Sequence, residues 1–394
     1  MANQPAYDLV CLSHLRWNFV FQRPQHLLTR FAGSRRVFFV EEPEWHDAPD
    51  ALKVREAEEG VQVVVPTLNV TQDPAGRPAV TAARLRSLLD NLFVTKAIRR
   101  FVLWYYTPMA LPFTDHLKPL ATVYDCMDEL SGFAGASAEL PRREADLLSR
   151  ADLVTVGGQT LFEAKHGQHR NVHLFPSSID VNHFGKARSP QGDPEDQRPI
   201  PRPRIGYAGV IDERMNLALI NEVALLRPDW HICLLGPTAK IDPATVPKLP
   251  NVHLLGMKSY DSLPQYMSGW DVGILPFAHN SATKFISPTK TPEYLAAGLP
   301  VVSTAIRDVV RPYGEKNLVR IADDPRDFVA AIQASLNADL PRHRAASDAF
   351  LKNNSWNLTA QKMMARVAEV VEARPARTLT IQNLSAGVLA TEVS

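Results

Sequence analysis

The segment SPTKTPEY, residues 287–294, combines hydroxyl, basic and acidic side chains at the predicted start of a helix. Pro288 is expected in the first turn of this helix, because the amide hydrogen that proline lacks has no helical partner there. Ser287 and Thr289 then lie at the helix N-terminus. Free amides and the positive end of the helix dipole make such a terminus favourable for an anion. The segment therefore predicts a site for a negatively charged ligand.

Lys290 and Glu293 extend this site along one face of the helix, because they are three positions apart. Lys290 supplies a full positive charge for a diphosphate. Glu293, one turn later, could accept hydrogen bonds from both hydroxyls of a ribose. Either residue alone would more simply be a surface charge on an amphipathic helix, so the prediction depends on the two together.

A second candidate segment is GYAGVIDER, residues 206–214, at the start of the second half of the chain. Gly209 would let a ligand approach the backbone closely. Arg214 follows a few positions later and could hydrogen-bond a diphosphate. The alternative is a glycine turn followed by an exposed Arg. We expect both residues in the same anion site as Lys290.

Two candidates for chemistry lie in the first half of the chain. Arg23 stands just before Pro24 at a predicted helix start, where it could face a cleft and meet a phosphate. Asp128 and Glu129 follow a predicted strand. Two carboxylates there could be a base and an electrostatic stabiliser, or loop acids that cap the next helix. Of the two acids, we favour Asp128 as the site residue.

The elements that must position these residues are short apolar runs separated by amphipathic segments, a pattern typical of parallel strands covered by helices. The predicted strands are 7–15, 36–42, 61–67, 101–107, 121–128, 153–158 and 172–176, followed by 204–211, 231–236, 252–256, 272–277, 301–304 and 318–322. A chain of 394 residues exceeds what one hydrophobic core usually serves. The predicted fold class is α/β, with two doubly wound domains. Since such sheets bind ligands beyond the carboxyl ends of their strands, the two domains should face a central cleft.

The domain boundaries follow from composition. Residues 1–185 and 204–355 hold the two sets of strands, and residues 186–203 are polar and proline-rich, which favours an exposed linker. Residues 356–373 carry the apolar stripe of a helix. Beyond them periodicity fades, so residues 374–394 are expected to form a flexible tail.

Composition excludes several classes of protein. Lys plus Arg (43) balances Asp plus Glu (42), so no global charge would draw the chain to nucleic acid. The three cysteines lie in apolar runs without metal or redox spacing, and no apolar run is long enough to cross a bilayer. The chain shows no secretion signal, and we expect a cytoplasmic protein. Motifs of dehydrogenases, phosphate-loop NTPases and serine hydrolases do not occur.

Residues 288–301 resemble the donor-binding helix of retaining glycosyltransferases of family 4, in which Pro-x-Lys-x-x-Glu-Tyr-Leu-Ala-x-Gly-x-Pro-Val precedes a strand. The pattern Trp-x-x-x-x-Gln-Arg-Pro-Gln-His at residues 17–26 resembles the bacterial cell-surface polysaccharide branch, which includes the teichuronic acid glycosyltransferases. This resemblance implies the GT-B fold, with two Rossmann-like domains around a cleft. It also implies that the helix at 356–373 crosses back to the first domain.

The resemblance also assigns roles to residues. Glu293 would bind the ribose, the loop around Gly209 and Arg214 would contact the donor phosphates, and main-chain groups after Gly256 would meet the base. A second Glu usually stands eight positions before the ribose Glu, but Phe285 occupies that position here. Recognition of the transferred sugar would then fall to the backbone of residues 280–286.

The implied function is transfer of a sugar from a nucleoside diphosphate sugar, a UDP- or GDP-sugar, to a saccharide or lipid-linked acceptor with retained configuration. The resemblance also implies that Asp128 lies on the acceptor side of the site. No Asp-x-Asp element stands at a strand end, so we expect no metal and no other cofactor. Contact with the inner face of the plasma membrane and the oligomeric state are left open. Two alternatives remain: a sugar-nucleotide 2-epimerase, and a nucleotide-sugar-binding subunit without catalysis, which Phe285 would favour.

Overall fold

The computed structural model describes residues 7–73, 76–189 and 191–373. The predicted tail at 374–394 lies outside these residues. Within them, both predicted α/β sheets are present, and each predicted strand coincides with an observed one. The α/β prediction is therefore confirmed.

The first sheet has the strand order β3-β5-β2-β1-β6-β7-β8-β9, and β4 pairs with β5 at its edge. All its pairs are parallel except β4 with β5. The strands are β1 (Asp8–Leu12), β2 (Val37–Val40), β3 (Glu44–His46), β4 (Ala51–Glu56), β5 (Val61–Asn69), β6 (Phe101–Tyr105), β7 (Ala121–Cys126), β8 (Leu153–Val156) and β9 (Val172–Leu174).

The sequence did not predict β3 and β4. These edge strands are largely exposed and carry charged residues, so neither forms an apolar run. They form because the long, buried strand β5 offers both of them a row of backbone hydrogen-bonding groups.

Helices cover both faces of the first sheet. On one face, α1 packs together with the last helix of the chain, and on the other face lie α2, α4 and α5. The helices of this half are α1 (Arg23–Ala32), α2 (Pro78–Thr95), α3 (Leu111–Thr114), α4 (Leu140–Arg150), α5 (Gln159–Lys165) and α6 (Val181–Gly185).

The second sheet is parallel throughout, with the order β12-β11-β10-β13-β14-β15. Its strands are β10 (Arg204–Ala208), β11 (His231–Leu235), β12 (Val252–Gly256), β13 (Val272–Leu275), β14 (Val301–Ser303) and β15 (Val319–Ile321). The helices are α7 (Leu217–Leu226), α8 (Leu263–Ser268), α9 (Lys290–Ala296), α10 (Arg307–Val309), α11 (Pro325–Leu336), α12 (Leu340–Leu351) and α13 (Trp356–Ala373). A π-helical turn, Val310–Gly314, follows α10.

The segment 186–203 differs from the predicted exposed linker. Gln197 is fully buried, where its side chain accepts a hydrogen bond from Trp270 Nε1 (2.9 Å) and donates one to the carbonyl of Tyr266 (3.0 Å). Ile200 is also buried. The other described residues of the segment are mostly exposed; Gln197 departs from the prediction because a polar side chain can be buried when it finds hydrogen-bond partners, which composition does not show.

The helix α13 packs against α1 and against the first sheet. Its buried residues Trp356, Met363 and Val367 belong to the same hydrophobic cluster as β1 and α1. The chain thus returns to its first domain after completing the second.

The Gln-Arg-Pro-Gln-His pattern forms the start of α1. Gln22 and Gln25 form a reciprocal capping box, and the side chain of Gln25 also donates to the carbonyl of Trp17 (2.7 Å). The ring of His26 stacks on Trp356 with 4.5 Å between the ring centres. These residues therefore connect the loop that follows β1 with α1 and α13.

Arg23 was predicted to face the cleft, and this prediction is wrong. Its side chain is only 2% exposed, and it donates to Asp125 from Nε (3.0 Å) and Nη2 (2.8 Å) and to the carbonyl of Phe175 from Nη1 (2.8 Å). Thr155 donates a further hydrogen bond to Asp125. Because the guanidinium is buried and its charge is paired with the equally buried Asp125, Arg23 is a structural residue.

We expect Asp125→Asn to destabilise the protein by about 3–5 kcal/mol, because it leaves the buried Arg23 cation without a counter-charge. The change is measured as a shift of the urea and thermal unfolding midpoints.

Asp229→Asn is the matched control. Asp229 is 59% exposed and pairs with Arg227 at 2.6 Å, so its loss should change stability by less than about 1 kcal/mol. Equal effects of the two substitutions would contradict a structural role for the Arg23–Asp125 pair.

Candidate active site

The centre of the site is the contact between Lys290, the first residue of α9, and Gly209 at the end of β10. Gly209 has φ of 153°, and a Cβ atom there would overlap Lys290 Cε and lie 2.6 Å from Nζ. Only a glycine leaves room for the lysine side chain at this point. The Lys290 ammonium also lies 5.7 Å from the ring centre of Tyr207. The two predicted residues Gly209 and Lys290 are therefore brought together.

Lys290 is a half-buried cation. No ion pair or hydrogen bond holds its Nζ within the described ranges. Burial lowers the pKa of Lys290, and the nearby positive charge of Arg214 lowers it further. Lys290, which no carboxylate of the described residues pairs with directly, and the nearby cation of Arg214 together provide an electrostatic site for an anion.

Arg214 is held in place by Asp212, a residue that the sequence did not single out. The guanidinium donates to the Asp212 carboxylate from Nε (3.0 Å) and from Nη2 (2.6 Å). Burial opposes the charge on Arg214, but Asp212 raises its pKa, so it stays protonated. The guanidinium also lies 5.6 Å from the ring centre of Phe133, which belongs to the first domain. Asp212 thus orients Arg214 towards the cleft.

Glu293 lies one turn after Lys290 on the same helix. Burial raises the pKa of Glu293 to about 7, although Lys290 and the Thr289 hydroxyl both act to lower it. Near neutral pH the carboxyl group is therefore close to half ionised. A group in this state is suited to exchange hydrogen bonds with hydroxyl groups of a ligand.

The helix that carries both residues begins at Lys290, not near Pro288 as predicted. Ser287 and Pro288 precede it in an extended segment, and Thr289 is the residue before its first turn. The helix has only seven residues, so the charged side chains, more than its dipole, define the site.

Asp128 reaches the same space from the first domain. It follows β7, and burial raises its pKa while the charges of Arg214, Arg23 and Lys290 lower it. The neighbouring Glu129 is instead paired with Lys165 at 2.7 Å. This supports the preference for Asp128 over Glu129: Glu129 is held in an ion pair, whereas the charges of Arg214 and Lys290 in the second domain act on the carboxyl group of Asp128.

Gly256 lies at the exposed end of β12 with φ of 68°. Its carbonyl accepts a hydrogen bond from the amide of Gly236 (2.9 Å). No contact joins Gly256 to Lys290 in the described part of the chain, so its role in binding a base stays a prediction.

The domains are connected beside the site by Asp308, the central residue of α10. Its buried carboxylate accepts hydrogen bonds from the amides of Gln159 (2.8 Å) and Thr160 (3.0 Å) and from the Thr160 hydroxyl. These groups form the start of α5 in the first domain. Gly158 makes this possible, since a Cβ there would overlap Asp308 and lie 2.8 Å from Ser287 Cβ. Ser287 therefore lies at the domain boundary.

Other contacts cross the cleft nearby. Arg307 pairs with Glu163 of α5 at 2.5 Å. On the other side, Glu213 accepts a hydrogen bond from the amide of Ala134 (3.0 Å), and the Ser281 hydroxyl donates to the carbonyl of Gly132 (2.7 Å). The segments that follow β10 and β13 thus contact the loop that follows β7.

Phe285 also crosses the boundary. It is half-buried and packs against the hydrophobic cluster of the first domain that includes Tyr124 and Leu161. The position at which the resembling enzymes carry a Glu is therefore used here for packing between the domains. This packing could not be predicted, because the sequence does not show which cluster an isolated Phe contacts.

Within residues 7–73, 76–189 and 191–373, no group of three or more His, Cys, Asp or Glu side chains could hold a metal ion. No helix of these ranges is long and apolar enough to span a membrane.

Comparison with known proteins agrees with this geometry. Residues 202–338 match the family "Glycosyl transferases group 1". A Bacillus subtilis (strain 168) protein described as a putative teichuronic acid biosynthesis glycosyltransferase is 27% identical over 308 residues, which cover 71% of this chain and 75% of that protein. The resemblance noted in the sequence is thereby confirmed, although retention of configuration is not part of what these matches show.

Solved structures show the same fold. Sucrose-phosphate synthase from Thermosynechococcus elongatus superposes with a TM-score of 0.69 at 14% identity, over 93% of this chain and 100% of that one. The E. coli trehalose-6-phosphate protein bound with UDP-2-fluoro glucose gives 0.68 at 12% identity, over 94% and 100%. Anabaena HepE, in complex with UDP and glucose, gives 0.63 at 14%, over 92% and 99%. The predicted GT-B fold is confirmed.

We expect Asp308→Ala to weaken the contact between the domains, because the start of α5 then loses its capping carboxylate, a loss of about 1 kcal/mol. Small-angle X-ray scattering should show a larger radius of gyration for this variant.

Asp324→Ala is the control, because Asp324 caps α11 within the second domain and accepts a hydrogen bond from the amide of Arg326 (2.8 Å). It should leave the scattering unchanged. If Asp308→Ala also leaves it unchanged, Asp308 does not hold the domains together.

Proposed function

Since this chain is a glycosyltransferase that carries a group 1 domain in a GT-B fold, we propose that its donor is a UDP- or GDP-sugar. The sugar passes with retained configuration to a saccharide or lipid-linked acceptor. The observation that carries this proposal is the Lys290 ammonium, which lies against Gly209 beside Arg214 with no counter-charge bound to it. Such a pair of cations fits a diphosphate.

In this proposal the nucleotide lies along the second domain. Lys290 and Arg214 bind the two phosphates, with the open backbone at Gly209 next to them. Glu293 accepts hydrogen bonds from the ribose hydroxyls, for which its partly ionised carboxyl is suited. Main-chain groups after Gly256 meet the base. Ser287 and Thr289 line the donor side of the cleft.

The sugar end of the donor lies near the domain boundary. Phe285 replaces the Glu of the resembling enzymes, so no carboxylate is available to the sugar hydroxyls at this position. Its side chain packs against the first domain instead. The backbone of residues 280–286 takes over this recognition. This segment also contacts the first domain, where the side-chain hydroxyl of Ser281 donates to the carbonyl of Gly132, and this contact supports a role that depends on domain closure.

The reaction breaks the bond between C1 of the sugar and the diphosphate oxygen, and the acceptor oxygen forms its bond to C1 on the same face. The proton of the acceptor hydroxyl passes to an oxygen of the departing diphosphate. Lys290 and Arg214 stabilise the negative charge that develops there, a role for which no metal is required in this proposal. Asp128 lies opposite these cations and orients the acceptor hydroxyl.

The B. subtilis relative is described as acting in teichuronic acid biosynthesis. We extend this to a general role in bacterial cell-surface polysaccharide synthesis. The enzyme then works in the cytoplasm, at the inner face of the plasma membrane when its acceptor is lipid-linked.

Lys290→Ala should weaken binding of UDP or GDP by about 10- to 100-fold, because a charge-assisted hydrogen bond contributes about 1.5–3 kcal/mol. Binding is measured by calorimetry. Incubation with radiolabelled UDP-, GDP- and dTDP-sugars should show slow release of free sugar by the wild type and much less by the variant.

Lys284→Ala is the control, because Lys284 is exposed and lies six positions earlier, next to Phe285. It should bind nucleotide like the wild type. Unchanged affinity of Lys290→Ala would remove the phosphate role, and interconversion of donor sugars without transfer would indicate an epimerase.

Asp128→Asn should lower the rate of transfer by about 10-fold or more while the donor affinity changes little, because Asp128 acts on the acceptor side. The rate is measured with the donor identified above. Full activity of this variant would exclude Asp128 from the site, and an equal loss of donor affinity would place it with the phosphate ligands instead.

A further inference from the structure

Tyr260, in the loop after β12, is enclosed by rings from three parts of the chain. Its ring stacks on His183 of α6 with 4.1 Å between ring centres and an angle of 8° between the planes. Phe21, in the loop before α1 of the first domain, stacks on it with 4.5 Å between ring centres. His26 lies at its edge, at 5.4 Å. These rings come from two segments of the first half of the chain, around residues 21–26 and at α6, whereas Tyr260 belongs to the second domain.

The position of His183 is itself determined. Its Nε2 is hydrogen-bonded to the carbonyl of Tyr260 at 3.0 Å. The helix α6 that carries His183 packs directly against α9, the helix of Glu293. Tyr260 also packs against the hydrophobic cluster that contains Tyr294, the residue after Glu293. Tyr260 is thereby connected, through His183 and α6, to the helix that carries Glu293.

The hydroxyl of Tyr260 is buried and has no hydrogen-bond partner among the described residues. An unsatisfied buried hydroxyl costs about 1–3 kcal/mol, so a partner is expected in the functional state. Burial raises the pKa of Tyr260, and the negative charge of Glu293 raises it further. Among the charged groups around it, Glu293 has the largest effect on the pKa of this phenol, which stays protonated and remains a hydrogen-bond donor at neutral pH.

We propose that Tyr260 is a positioning residue for the donor: its hydroxyl donates a hydrogen bond to the Glu293 carboxylate and fixes the orientation in which Glu293 receives the ribose hydroxyls. Phe21 makes this arrangement depend on the first domain. Recognition of the ribose is therefore a property of both domains. This inference rests on the proposed role of Glu293 in binding a nucleoside diphosphate.

The test is Tyr260→Phe, which keeps the stacked ring and removes only the hydroxyl. UDP and GDP are titrated by calorimetry, and the tighter one is compared with its 2′-deoxy and 3′-deoxy forms. The wild type should prefer the ribonucleotide to at least one deoxy form. In Tyr260→Phe this preference should fall at least about threefold, as it should in Glu293→Ala, because about 0.6 kcal/mol of oriented hydrogen bonding is lost.

Tyr266→Phe is the matched control. The hydroxyl of Tyr266 donates to Asp196 (2.7 Å), away from Glu293, so its loss should leave the preference unchanged. A purely structural role of Tyr260 would weaken the ribonucleotide and the deoxynucleotide equally. Phe21→Leu, which keeps the hydroxyl but loosens the ring, should also reduce the preference.

The outcomes are distinct. An unchanged preference in Tyr260→Phe, with normal binding by the wild type, would overturn this inference and leave the proposed function intact. Failure of the wild type to bind UDP and GDP would overturn the proposed function and this inference together. If the preference falls in Tyr260→Phe but not in Phe21→Leu, the part of the inference that makes the orientation of Glu293 depend on Phe21 is overturned.

Discussion

The site depends on a lysine that is half-buried without a counter-charge. Lys290 can occupy its position only because Gly209 has no side chain, and the cation of Arg214 disfavours its charge further. Burial and the charge of Arg214 both disfavour the charged form of Lys290, and a bound anion would offset both effects. Part of the free energy of anion binding therefore comes from relieving this unfavourable charge. The domains provide the structure that keeps the two cations in place.

Asp128 and Asp308 show two ways in which the first domain acts on this site. Asp128 brings a carboxylate opposite the cations without pairing with either of them. Asp308 does the reverse: it extends from the second domain and caps α5 of the first. Together with Phe285, it ties the domains at the point where a donor sugar would meet its acceptor. The contacts of Asp308 and Phe285 that hold the two domains together therefore also determine the geometry of the cleft.

The pattern at residues 17–26 shows how far a motif can be interpreted. It pointed to the same branch as the B. subtilis relative, which is 27% identical to this chain, whereas Arg23 and His26 make contacts inside the fold. Arg23 of α1 pairs with Asp125 of β7, and His26 stacks on Trp356 of α13. A basic residue before a helix looks the same in sequence whether its partner is a ligand or a carboxylate about a hundred positions away. Only the fold distinguishes the two.

The sequence by itself determined the two sheets, because apolar runs in regular alternation with helices record burial directly. It also predicted Lys290 with Glu293, and Gly209 with Arg214, as site residues, because the spacing within each pair is local; their roles towards a donor stay predictions. The tertiary structure decided what depends on distant partners: the burial of Arg23, the edge strands on β5 and the docking of residues 186–203. It also decided the contacts between the domains. Each of these contacts involves two segments that are far apart in the sequence, and a local sequence pattern does not show that they meet.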